Sequence, residues 1–227
     1  MIIPVIDIMN NQCVSGKSGN REEYTELKSI YGNNPITLAQ NLKKDGAKLI
    51  YIADLDKIEN KGDNSKLISE INHVLPVLLD NGISNLNDVK NNENICTYSI
   101  LATETMTSIE ETINIFKIVD NEKLVISIDI KNNELLLNNK DINIEDIIKL
   151  INKVKPRYTI LLNISQVGTK KQSDNILIKK IIQEIHETTF IIGGGITNES
   201  IEKFNNEGID DFLIGTILHE GNLNHKL

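Results

Sequence analysis

Eight short β-rich runs, helix-length amphipathic stretches between them, and a second half that repeats motifs of the first predict an α/β fold. The form they predict is a (β/α)8 TIM barrel of two fused half-barrels. The strand runs are 2–7, 48–53, 75–79, 97–102, 123–129, 158–163, 189–193 and 210–214. The helical stretches are 35–45, 64–73, 107–118, 143–154, 174–187 and 198–206, each with apolar residues at helical spacing. Asn34-Pro35 opens the first of these with a capping side chain and proline at the first helical position. A doubly wound open sheet shares this element order, and the repeat favours the closed form.

The repeat runs through the motifs themselves. VIDIMNN at 5–11 returns as SIDIKNN at 127–133, an offset of 122 residues. NGISN at 81–85 returns as GGITN at 194–198, and ILAT at 100–103 as LIGT at 213–216, both offset by 113. The first, third and fourth strands therefore correspond to the fifth, seventh and eighth. Residues 1–227 read as one domain, with half-barrels of about 1–118 and 119–227.

Composition narrows the function classes. A formal net charge of −8 on 227 residues argues against a general nucleic-acid or anionic-membrane binder. No apolar run approaches the roughly 18 residues of a membrane-spanning helix, and no basic segment precedes a long apolar one at the N-terminus. The expected location is cytoplasmic. Cys13 and Cys96 fall in separate strand-like regions with no metal-ligand spacing and read as small buried hydrophobes.

Barrel strands deliver functional side chains at their C-terminal ends. Asp7 and Asp129 close the first and fifth strands, opposite each other across the mouth. A facing carboxylate pair suits proton transfer, one group donating while the other accepts. Capping a loop, or pairing with a lysine such as Lys131, is the plain alternative for each. Gly193-Gly194-Gly195 follows the seventh strand and Gly215-Thr216 the eighth, each before a helix. Glycines let backbone N–H groups approach an anion, and a helix start adds a favourable dipole, so Gly194, Gly195, Gly215 and Thr216 are the candidate phosphate site. The matching first-half positions carry Asp80, Asn81 and Ala102, which removes glycine and adds charge. Asp54, Asp56, Asp80 and Glu104 gather on this side as a solvated acidic rim, or as a site for a metal or a cationic group. The glycine-punctuated loop after the first strand, with Lys17, Arg21 and Tyr24, reads as a substrate cover or as an exposed charged loop. Thr103 and Gly168 are weaker substrate-contact candidates, and none of His73, His186, His219 and His225 is a site candidate.

IIPVIDIMNNQCV, GAKLIYIADLD, GGGITNESIEKFNNEGIDDFLIGTIL and the duplication resemble the HisA/HisF family of histidine-biosynthesis barrels over almost the full length. GNREEYTEL, DNGI and ATET look most like an archaeal branch related to HisA, the phosphoribosylformimino-aminoimidazole carboxamide ribotide isomerase. The resemblance implies an Amadori-type aldose–ketose rearrangement with Asp7 as base and Asp129 as acid. The chain departs from the isomerase in the strand-six motif, where LLNISQVGT at 161–169 puts Leu162, Gln166 and Val167 in place of threonine, arginine and aspartate. Ser84 replaces the arginine after the first-half phosphate loop, and Ser15 a basic residue near the start of the first long loop.

The expectation is an isomerase of a phosphorylated sugar, aminosugar or ribonucleotide, with no cofactor and no metal. The alternatives are a lyase or synthase using the same pair on a mono-phosphorylated metabolite, and a non-catalytic barrel that binds one. One phosphate is expected, at the second-half glycines.

Overall fold

The computed structural model describes residues 1–16, 24–168 and 176–227. Its eight parallel barrel strands, in order, are Ile2–Met9, Ile50–Asp54, Val77–Asp80, Tyr98–Ala102, Leu124–Lys131, Tyr158–Asn163, Thr189–Gly193 and Asp211–Ile214. Each pairs with its neighbours in sequence order, and the eighth pairs with the first through Ile2–Phe212 and Ile3–Leu213, closing the cylinder. The expected barrel is what forms.

The helices lie outside. Pro35–Asp45, Ser65–Val74, Ile109–Ile118, Ile144–Val154, Ile176–Glu184 and Asn198–Asn206 match the expected stretches. Asn34 caps the first by accepting from the Ile36 and Thr37 N–H groups. Leu86–Asn91 is a further helix that periodicity did not reveal, because its sequence offers only Leu86 and Val89 as apolar positions. Thr112 and Ile115 of Ile109–Ile118 are buried, as are Ile147, Ile148, Leu150 and Ile151 of Ile144–Val154. Each such isoleucine or leucine contributes roughly 1.5–3 kcal/mol of burial free energy.

Strand alternation splits the core in two. One set of side chains fills the barrel interior, among them Ile3, Leu78, Ile100, Val125, Ile160, Ile191 and Leu213. The other faces the helices, including Ile6, Ile52, Leu79, Ile128, Leu161, Ile192 and Phe212. The same parity decides which residues reach the mouth.

The first and fifth strands run two residues past their aspartates and fold back. Met9 pairs with Gln12, and Lys131 with Glu134, both antiparallel. The intervening residues Asn10, Asn11, Asn132 and Asn133 have φ of 51°, 58°, 54° and 63°. Two consecutive positive-φ residues are what a tight I′ hairpin demands, and asparagine tolerates them best after glycine. Hence the doubled Asn-Asn: it belongs to the repeated hairpin. Each hairpin tip docks on the loop after the next strand. Asn10 N–H donates to Asp56 Oδ2 at 2.6 Å and Asn132 N–H to Ser165 Oγ at 2.7 Å.

Candidate functional site

The cavity at the C-terminal mouth measures about 1000 Å³, with Asp7, Asp80 and Glu104 on one side and Gly194, Gly195, Gly215 and Thr216 on the other. Strand register builds it. Asp7 lies level with Ala53, and Ala53 level with Asp80, so two carboxylates flank a methyl group. Around the other side Asp129, Leu162, Gly193 and Leu213 follow one another through successive pairings. Inward-facing aspartates sit near the mouth ends of the first, third and fifth strands, and glycines follow the last two.

Asp7 is half-buried on the cavity wall. Asp129 is only 1% exposed and lies beneath the lining rather than in it. Ser127 Oγ donates to its Oδ1 at 2.8 Å, and Thr103 Oγ1 and Glu104 N–H approach Oδ2 at 3.4 and 3.3 Å. Burial above all, then the charges of Glu104 and Asp80, push the Asp129 carboxyl well above the usual range, with the Ser127 and Glu104 donors opposing. The aspartates are thus equivalent in sequence and unlike in environment.

Asp80 is 6% exposed and takes a 3.1 Å hydrogen bond from the Tyr51 hydroxyl. Tyr51 is buried at the cavity floor, one layer below Ala53, and its phenol is held well above the ordinary value by burial and then by Asp80, Asp129 and Asp7. Three carboxylates therefore act on one buried hydroxyl.

Asp54 sits elsewhere. Its parity turns it to the helix side, where it accepts from Asn64 N–H at 2.9 Å, Asn64 Nδ2 at 2.6 Å and Lys57 N–H at 3.2 Å. Asp56 also binds Asn64, and Asn64 Oδ1 accepts from Asn11 N–H at 2.8 Å. This network ties the hairpin tip to the second strand. Thr103, fully buried, accepts from Asp129 N–H at 3.0 Å and so supports the aspartate rather than the cavity. Gly168 lines the mouth. Lys17 and Arg21 lie outside the described residues.

On the glycine side, Gly194 has φ of 96°, and a Cβ there would lie 2.2 Å from the Asn163 carbonyl oxygen. Only glycine fits this turn. His219, which the sequence did not mark, also lines the cavity and is 3% exposed. Its Nε2 lies 2.8 Å from the Val5 carbonyl oxygen, which can only accept, so Nε2 carries the proton. Nδ1 then accepts from Ser29 Oγ at 2.9 Å. Burial depresses the imidazole below its ordinary value, with the Val5 bond opposing. The ring thereby pins the segment after the first long loop to the first strand and to the turn at Gly215.

Among the described residues no group of three or more His, Cys, Asp or Glu side chains is arranged to hold a metal ion. Nor is any described helix long and apolar enough to cross a membrane. Burial pushes the Cys13 thiol up to about 12, with Asp7 adding to it, and the Cys96 thiol to about 11.

Comparison with known proteins identifies a family whose members share nearly the full length of the chain. The family described as histidine biosynthesis protein matches residues 1–224. An uncharacterized protein of Methanocaldococcus jannaschii is 36% identical over 97% of this chain and 93% of its own length. A phosphoribosyl imidazole-4-carboxamide isomerase of Clostridioides difficile is 25% identical over 100% of this chain and 95% of its own. One of Methanococcus vannielii, bearing the same name, is also 25% identical, over 100% of this chain and 97% of its own. With eight parallel strands closed at Ile2–Phe212, a repeated aspartate-bearing hairpin and a family match across nearly every residue, the chain belongs to the histidine biosynthesis protein family.

Proposed function

We propose that the protein is a HisA-like isomerase that interconverts the aldose and ketose forms of a phosphorylated sugar or aminosugar. The observation that carries this reading is the contrast between the two aspartates: Asp129 is sealed and favours its proton, while Asp7 stands on the cavity wall. A neutral carboxylic acid is what ring opening needs, since it donates a proton to the ring oxygen as the C1–O bond breaks. Asp7 then removes the proton from C2, leaving an enol or enolamine that is reprotonated at C1 as the ketose. Substrate must settle deep enough for its ring oxygen to reach Asp129, and Tyr51 and Ala53 form the floor on which it would rest. The phosphate is held by the N–H groups of the turns at Gly194-Gly195 and Gly215-Thr216, which end a pair of neighbouring strands. The relatives named as isomerases support the reaction class.

The test is turnover of a panel of aldose phosphates and N-substituted aminoaldose phosphates, followed by ketose formation. Asp7→Asn and Asp129→Asn should each lower turnover by about 10²–10⁴-fold if each transfer contributes as general acid–base steps do. Both variants should still bind phosphate. Unimpaired turnover in the pair of variants would remove the mechanism, and a carbon–carbon or carbon–nitrogen cleavage product would favour a lyase using the same groups.

A further inference from the structure

Strand register makes the second and sixth barrel strands equivalent, because Asp7 lies level with Ala53 and Asp129 with Leu162. Two residues earlier on the same inward faces, Tyr51 therefore matches Ile160. Both belong to the cluster that fills the barrel interior. Filling requires only an apolar side chain, and Ile160 supplies one. Tyr51 brings a hydroxyl to the same depth, where a polar group is costly unless it is bonded.

The residues above them differ as well. Leu162 stands over Ile160, which is fully buried, whereas Ala53 covers Tyr51 with only a methyl group. Tyr51, 6% exposed, reaches the cavity lining. Val5, Ala53, Leu162 and Leu213, which pack in the same interior cluster and line the same cavity, carry no polar side-chain atom. The hydroxyl is also oriented. It donates to Asp80 Oδ2 at 3.1 Å, and burial together with the nearby carboxylates keeps the phenol protonated. With its one proton turned to Asp80, the oxygen has lone pairs left to offer, so what it takes from the cavity is a donor. Ala53 lies between Asp7 and Asp80 in the register, which sets this acceptor one layer below the proposed base.

We propose that Tyr51 is a specificity and positioning residue whose hydroxyl oxygen accepts a hydrogen bond from the C2 hydroxyl of the sugar. This rests on the reading of the cavity as an aldose–ketose isomerase site. C2 carries both that hydroxyl and the hydrogen that Asp7 would remove. Holding the hydroxyl down on the second strand turns the hydrogen toward the first strand, where Asp7 stands. Tyr51 thus reads, at the binding step, the hydroxyl without which no ketose can form. A sugar lacking it leaves the buried oxygen unanswered, and that loss is the source of discrimination.

The experiment is calorimetric titration of the wild type and Tyr51→Phe with inorganic phosphate, ribose 5-phosphate and 2-deoxyribose 5-phosphate. The wild type should bind ribose 5-phosphate about tenfold more tightly than the deoxy compound, the scale of one hydrogen bond. Tyr51→Phe keeps the ring and its packing, so the loss should be confined to ribose 5-phosphate and the preference should vanish. A purely structural tyrosine would weaken both sugars alike. A crystal of the wild type with ribose 5-phosphate gives a second reading that needs no variant: the C2 hydroxyl should lie within hydrogen-bond distance of Tyr51 Oη. Equal affinity of the wild type for the two sugars, a preference that survives in Tyr51→Phe, or a C2 hydroxyl bonded elsewhere overturns the inference and leaves the isomerase reading standing. Binding of phosphate without either sugar also overturns it. No binding of any of the three probes defeats the phosphosugar reading itself, and the inference with it.

Discussion

Ser127 Oγ donates to Asp129 Oδ1 at 2.8 Å, from two residues earlier on the same inward face of the fifth strand. The bond holds the carboxyl in place without making ionisation easy, because burial and the nearby Glu104 and Asp80 charges outweigh it. Below the ordinary carboxylate value both folded and unfolded chains hold this proton. Above it the unfolded chain loses the proton and the folded one keeps it, so stability falls by about 1.4 kcal/mol per pH unit until the folded group ionises too. Asp129→Asn has no proton to lose. Its stability relative to wild type should climb from pH 4 upward, read by urea unfolding at pH 4, 5.5 and 7. A flat difference would mean that Asp129 is already ionised in the folded protein.

His219 should act with the opposite sign. Its folded value lies below the ordinary 6.5, so the unfolded chain takes up the proton first. Stability is full above that value and falls by about 1.4 kcal/mol per pH unit as pH drops toward the folded one. His219→Gln, which retains an N–H donor for Val5, should flatten the melting profile between pH 7.5 and 5. An unchanged slope would place the acid sensitivity elsewhere.

Gly194→Ala meets both a φ of 96° and the Asn163 carbonyl oxygen at 2.2 Å. It should cost more than about 1 kcal/mol of stability and lower phosphate affinity at least tenfold. Gly215→Ala meets nothing nearer than Val5 Cβ at 3.9 Å, so its stability should stay within about 0.5 kcal/mol of wild type. Its methyl group nonetheless enters the proposed anion site and should weaken phosphate. Normal phosphate binding in both variants would relocate the cradle.

Asn133 has φ of 63° and an exposed side chain at the tip of the second hairpin. Asn133→Val should cost about 1–2 kcal/mol, since a β-branched residue suffers the full left-handed penalty. Asn133→Gly should be neutral or slightly stabilising. Chemical denaturation of the two variants orders them directly, and equal midpoints would contradict the turn geometry.

The barrel was legible because apolar runs, helix starts and a repeat all point to one topology. Asp7, Asp80 and the glycine turns could be placed for the same reason. Tyr51 could not, since LIYIA at 49–53 is buried on both faces and its alternation disappears into a uniform apolar run. Asp54 was grouped with Asp80, but a one-residue step along a strand changes the face, and Ala53 takes the inward position. The asparagine pairs were visible as a repeat before they were visible as turns. His219 had no local signal, because only the closed barrel brings its four-residue helix against Val5.

That last contact has a consequence for the order of assembly. Val5 and His219 stand 214 positions apart, and the seam beside them joins Ile2 to Phe212. Contacts of such long range form late, because a long loop must close before they are rewarded. The strand bearing Asp7 and the turn holding Gly215 are therefore among the last neighbours to meet. The cavity at the mouth is complete only once the ring closes, and the same seam is where mechanical opening of the barrel would first dismantle its wall.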